Sequence, residues 1–158
     1  FFYTFLYTFS DNFLSLFCIN LIMVVSLEGK VEIKILDKNT GKVKKQIKTN
    51  AITVAFANNL IFGLANGNFS VPKFDQIEIT PQSGNNITLS ASATVTDTGS
   101  AWQVTFSASD SSNSSYTTKE LFITSSQAAY GLAHTTTSIT KGATDILNIT
   151  WTVSQPYG

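Results

Sequence analysis

Residues 87–96 read ITLSASATVT, and apolar and polar side chains alternate through them without a break. Ile87, Leu89, Ala91, Ala93 and Val95 fall on one side, with Thr88, Ser90, Ser92 and Thr94 on the other. A two-residue period matches a strand with one buried face, because successive side chains of a strand point to opposite faces. The same pattern returns near the end of the chain. Leu147, Ile149, Trp151 and Val153 alternate there with Asn148, Thr150 and Thr152. These two stretches point to a β-rich fold.

Working outward, residues 30–48 form the clearest hairpin. Val31, Ile33 and Ile35 alternate with Lys30, Glu32 and Lys34, and Val43 and Ile47 carry the apolar face onto the return strand. Asp37 to Gly41 supply turn residues that tolerate left-handed backbone. Further strands are expected over 74–80, with Ile77 and Ile79 on one face, and over 101–108, with Trp102, Val104 and Phe106 inward. Strands over 116–124, 129–139 and 145–153 complete the set. Residues 97–100 and 140–144 read as turns, residues 109–115 as a Ser-rich loop, and Gly131 as a bulge position. One helix is expected over residues 51–65. Asn50 caps it, Ile52, Phe56, Leu60 and Leu64 form one apolar stripe, and Asn66-Gly67 ends it. The expected fold is mainly β: an antiparallel sandwich of about eight strands with that helix packed on it.

Residues 1–25 differ from the rest. They hold eight Phe or Tyr, yet Ser10, Asp11, Asn12 and Asn20 interrupt the apolar run. An Asp at the centre of a spanning helix costs about 2.5–3.5 kcal/mol. No basic residue precedes the run and no small-residue cleavage site closes it, so it makes a poor signal peptide. Three readings stay open. Met23 is the true start, or the run is an assembly segment buried against neighbouring subunits as in pilins, or it contacts a membrane. Residues 26–158 form the expected sandwich domain.

The chain has 158 residues, of which 13% are charged, with zero net charge. All ten basic residues are Lys; there is no Arg. That argues against bidentate recognition of phosphates or carboxylates, for which the guanidinium fork is the preferred group. The single cysteine, Cys18, rules out an intramolecular disulfide and a Cys-based zinc site. The single histidine, His134, sits in a strand pattern, where a half-exposed histidine is expected and a catalytic base is not. Asp75 and Glu78 should point to opposite faces of a strand, and Asp97 and Asp110 should lie at opposite ends of one. No phosphate-binding Gly loop or metal-spaced His pair occurs. No catalytic, cofactor or metal residue is therefore expected, and the chain reads as non-enzymatic.

Residues 30–48 hold seven Lys against Glu32 and Asp37. Edge lysines commonly guard a strand against wrong pairing, and an acidic partner could also dock on the Lys30–Lys48 hairpin. Nucleic acid is a weaker fit, since no aromatics are interleaved for stacking. Four sequons, at Asn68, Asn86, Asn113 and Asn148, are candidate glycan sites in an exported protein.

Three pieces of the chain carry a family likeness. They are Asn50-Ala51-Ile52-Thr53 with the expected helix, Tyr116-Thr117-Thr118-Lys119-Glu120-Leu121-Phe122, and Ile139-Thr140-Lys141-Gly142 with Leu147 to Val153. Over residues 30–153 the order of elements resembles small structural proteins of tailed or archaeal virus particles, of the tail, fibre and capsid accessory type. The Ser-rich loop at 109–115 is longer than that pattern. The resemblance implies a component of a virus particle (capsid, turret or tail) that self-assembles and presents a surface, with no catalytic residues. The alternatives are a subunit of an extracellular pilus-like filament at the cell surface, with a buried hydrophobic N-terminus, and a carbohydrate-binding sandwich module.

Overall fold

A computed structural model describes residues 28–49 and 72–156. The N-terminal run, the expected helix over 51–65 and Asn68 lie outside the described residues.

Ten strands fill the described chain: β1 (Glu28–Asp37), β2 (Val43–Thr49), β3 (Gln76–Pro81), β4 (Ile87–Ser90), β5 (Ser92–Asp97), β6 (Ala101–Asp110), β7 (Tyr116–Ser125), β8 (Ala128–Thr136), β9 (Thr140–Lys141) and β10 (Asp145–Pro156). They build two antiparallel sheets. The first runs β2-β1-β10-β6-β5; the second runs β4-β3-β7-β8, with β9 also on β7. The inward sets of the two sheets meet in one core. Val31, Ile33 and Ile35 of β1 and Leu147, Ile149, Trp151 and Val153 of β10 face Ile77 and Ile79 of β3 and Leu121 and Ile123 of β7, all of them buried. Register fixes this arrangement. Val31 sits opposite Trp151, Ile33 opposite Ile149 and Ile35 opposite Leu147, so one apolar row continues into the next. Each such side chain contributes about 1.5–3 kcal/mol by leaving water.

Three expectations need correction. Residues 87–96 are two strands, not one. β4 pairs with β3 in the second sheet, whereas β5 pairs with β6 in the first. The chain crosses at Ala91, whose N–H donates to the Asp75 carbonyl at 2.8 Å. The expected buried face does not survive the crossing: Ile87, Leu89 and Ala91 are half-buried, whereas all six residues of β5 are exposed although Ala93 and Val95 keep the inward parity. Periodicity reports the face and is silent about the partner.

Trp102 is also not core. It has the inward parity of Val104 and Phe106, but burial fails along β6: Phe106 is buried, Val104 half-buried, and Trp102 51% exposed. On the neighbouring strand β10, Trp151 is fully buried and Gln155 exposed. The first sheet thus outruns the second at this end, and Val95 of β5, opposite Val104, is 68% exposed.

Residues 140–141, expected in a turn, instead form β9 against Tyr116 and Thr117. β8 and β9 lie along the same side of β7 with residues 137–139 between them. The buried Thr118 closes that gap. Its N–H donates to the Ile139 carbonyl at 2.9 Å, and its hydroxyl accepts from the Ile139 N–H at 3.0 Å and donates to the Thr137 carbonyl at 3.2 Å. The β7–β8 ladder slips between Ile123 and Ser125, opposite the stretch of β8 that contains Gly131. A Cβ on Gly131 would stand 3.0 Å from the Ile123 carbonyl oxygen, so the expected bulge position is also a tight one.

Candidate functional site

One end of the sandwich gathers a connected cluster of charged side chains. The β1–β2 turn, the loop from Ser111 to Ser115 between β6 and β7, and residues 141–145 meet there. Asp110 ends β6 on the inward parity and is buried, as is Lys141 of β9 at 0% exposure. The Lys141 ammonium donates to the backbone carbonyls of Ser112 at 2.7 Å and Ser114 at 3.0 Å, and lies 3.8 Å from a carboxylate oxygen of Asp110. It also stands 5.7 Å above the Tyr116 ring. The Tyr116 hydroxyl donates to Asp110 at 2.6 Å, and the Ser112 N–H to the other Asp110 oxygen at 2.8 Å.

A second lysine holds the same loop from outside. Lys38 donates to the Ser112 carbonyl at 3.1 Å, to Asn113 Oδ1 at 2.8 Å and to the Ala143 carbonyl at 3.3 Å. The Ser112 carbonyl therefore accepts from two ammonium groups. Beside it, Lys44 bridges Asp145 at 2.7 Å and Asp37 at 3.0 Å. Asp145 in turn accepts from the Gly142 N–H at 2.9 Å.

These contacts set the electrostatics. The Lys44 hydrogen bond, aided by backbone N–H groups of the turn, holds the Asp37 carboxyl down to about 2. Asp145 is held below the usual carboxylate range by Lys44 and then by the Gly142 N–H, while Asp145 and Asp37 together push Lys44 up. Burial pushes Asp110 up, but hydrogen bonds from Tyr116 and Ser112 and the charge of Lys141 outweigh it, so its carboxyl is lowered. Tyr116 is pushed far up by burial and by donating to a carboxylate. Asp37, Asp110, Asp145, Lys44 and Tyr116 are each shifted toward the protonation state that maintains their bonds.

The remaining lysines of the hairpin are mostly engaged as well. Lys34 and Lys48 lie 3.1 and 3.5 Å from Glu32, which Gln46 also bonds, and Lys45 donates to the Ser138 carbonyl at 3.4 Å. Lys34 is the main cause of the lowered Glu32 carboxyl. A cluster of seven lysines in the sequence is thus a set of internal ties in which, among the described residues, Lys30 and Lys42 are the least committed.

The residues considered from sequence for chemistry fall apart in space. The His134 ring stacks on Phe122 with centroids 4.5 Å apart and planes 19° apart. Asp75, just before β3, accepts from the Ser126 N–H at 3.0 Å and hydroxyl at 2.8 Å, and the Ser126 backbone bond is the main reason its carboxyl is lowered. Glu78 accepts from Asn86 at 2.9 Å. Asp97 and Asp110 lie at opposite ends of β6, as its pairing with β5 requires. Among the described residues no group of three or more His, Cys, Asp or Glu could hold a metal ion, and no helix is long and apolar enough to cross a membrane. A shallow, open groove where the chain changes sheets is lined by Ser90, Ser92, Ser107, Ser109, Asn148 and Thr150 with the small apolar residues between them, and no charged side chain lines it.

Of the described sequons, Asn86 and Asn113 are exposed, on residues 82–86 and in the lysine-held loop. Asn148 is half-buried on the outer face of β10 and accepts from the Ser109 hydroxyl at 2.8 Å. The loop clamp itself escaped the sequence reading. Its one signal was Asp110 and Tyr116 near the ends of the Ser-rich run, and Lys141, distant in sequence, joins them only through the pairing of β9 with β7. The chain matches no protein-family model, no curated protein and no solved structure.

Proposed function

We propose that this protein is a non-enzymatic structural component of a virus particle (a capsid, turret or tail component) that works by assembling and by presenting a rigid surface. The observation that carries this reading is the double lysine clamp. Lys141 from inside and Lys38 from outside bind the same Ser112 carbonyl, and so hold an exposed Ser-Ser-Asn-Ser-Ser loop in one shape. Ordering a loop costs about 1–2 kcal/mol of backbone entropy per residue. Fixing it in advance removes that cost from recognition. Short Ser and Asn side chains then offer hydrogen bonds with little rotamer entropy to lose. The virus-particle part of the reading rests on the sequence likeness over residues 30–153 alone.

The ionisable groups point the same way. Asp37, Asp110, Asp145, Glu32, Lys38, Lys44 and Lys141 are each committed to holding a turn, a loop or an edge. On the hairpin, Lys30 and Lys42 remain for an acidic neighbour. The pilus-like alternative depends on residues 1–25, outside the described residues. Electron microscopy of the purified full chain tests the proposal: regular particles, rings or filaments are expected. Featureless single molecules at every concentration would count against it.

A further inference from the structure

The two edges of the first sheet are unlike each other. At one edge, β2 carries Lys44, Lys45 and Lys48 within seven residues. At the other, β5 (Ser-Ala-Thr-Val-Thr-Asp) carries no lysine and no proline, and all six of its residues are exposed. Among the described residues β5 pairs with β6 alone. Its single charged residue is Asp97, whose carboxylate accepts from the Gly99 N–H at 2.8 Å. Val95, 68% exposed, and Trp102, 51% exposed, lie diagonally across the β5–β6 ladder on the inward parity. Charged edge residues are the usual guard against strand addition, and a bare edge beside exposed apolar side chains is a template for it.

We propose that the β5 edge is a self-association surface: β5 pairs antiparallel with β5 of a second copy about a two-fold axis at Val95, and so joins two copies of the first sheet. This deepens the assembly reading above and rests on it. The register follows from keeping the inward faces on one side. Val95 meets the partner's Val95, Thr94 meets the partner's Thr96, and Ala93 meets the partner's Asp97. The Val95 side chains then cover each other, with Trp102 of each copy beside them.

Charge decides between the edges. In this register the two Asp97 carboxylates are separated by four residue rises, about 14 Å along the strand. That exceeds the screening length of about 8 Å at physiological salt, so the pair costs little. The same operation on β2 about Gln46 sets Lys44 opposite the partner's Lys48, and like charges directly opposite oppose pairing. A second copy therefore fits β5, whereas at β2 it must displace lysines tied to Asp37, Asp145 and Glu32 or meet their charges. The two-fold contact is closed, so by itself it yields a dimer.

The test uses the full chain. Val95→Lys places a guard at the axis without touching the core, so far-ultraviolet circular dichroism should show the strand content of the parent. Light scattering should show the mass of the β5-linked unit falling twofold. An unchanged mass would overturn the proposal. In a Cys18→Ser background, Val95→Cys should cross-link to a covalent dimer on oxidation, while Val43→Cys, at the 51% exposed Val43 on the lysine-rich edge, should stay monomeric on a non-reducing gel. No cross-link at Val95, or equal cross-linking at both, would overturn it. If the parent chain is itself a monomer at all concentrations, the assembly reading fails too. If Val95→Lys stays assembled, only the choice of edge fails.

Discussion

Lys141 is the residue on which the loop end depends. Its ammonium is out of water and has three acceptors: the Ser112 and Ser114 carbonyls and, more distantly, Asp110. Removing one member of a buried charged set leaves the others unpaired, which costs about 3–5 kcal/mol. Lys141→Met keeps most of the volume and removes the charge, so urea denaturation should show a loss of about that size, and Asp110→Asn should also destabilise, because its single amide oxygen can accept from only one of Tyr116 and Ser112. Trp151 tests the core in the same way. Its indole is fully buried, and its Nε1 finds no acceptor among the described residues. Trp151→Ala should cost about 3–5 kcal/mol through the cavity left behind. Trp151→Phe should cost much less, because it also removes the unpaired N–H. Thermal melts of both variants decide this, and an unchanged midpoint for Trp151→Ala would mean the faces of β10 are misassigned. The Trp was legible from its parity in residues 145–153. The lysine was not, because a Lys-Gly pair after Thr140 has the composition of a turn, and only the pairing of β9 with β7 carries it into the interior.

At the scale of elements, most strands could be read from alternation, since one buried face imposes a two-residue period. What alternation could not supply was the change of sheet at Ala91 or the uncovered end of β6. Both depend on where the opposite sheet stops. The β8–β9 gap shows the same limit: residues 129–139 look like one strand, yet residues 137–139 leave the ladder and are held by a hydroxyl. Thr118→Val keeps the shape and β-branching of that side chain but removes the hydroxyl. A buried hydrogen-bonding group left without a partner costs about 1–3 kcal/mol. Thr118→Val should destabilise by that amount, with faster amide exchange at Ile139, whose N–H loses its acceptor. Normal protection at Ile139 would contradict this account of the gap.

For the whole molecule, the ties at the clamp end set a pH dependence. Asp37, Asp145 and Asp110 have carboxyls lowered by folding, Asp37 to about 2. A carboxyl lowered in the folded state stabilises at pH above its unfolded value, about 3.9, and that stability is lost as pH falls through the folded value. The thermal midpoint should therefore stay flat from neutrality to about pH 5 and fall steeply between about pH 4 and pH 2. Lys44 acts in the opposite sense, since its raised value makes its contribution fade only at strongly alkaline pH. Zero net charge leaves no long-range repulsion between copies, and a bare β5 edge offers them a place to meet. Residues 1–25 add an apolar segment, so a chain beginning at Ser26 should be the more soluble and the less associated. The most direct test of the central claim is light scattering of the full chain across a wide range of concentration at neutral pH. The account predicts a mass that rises with concentration to a defined multiple of the single chain. A single-chain mass throughout would contradict it.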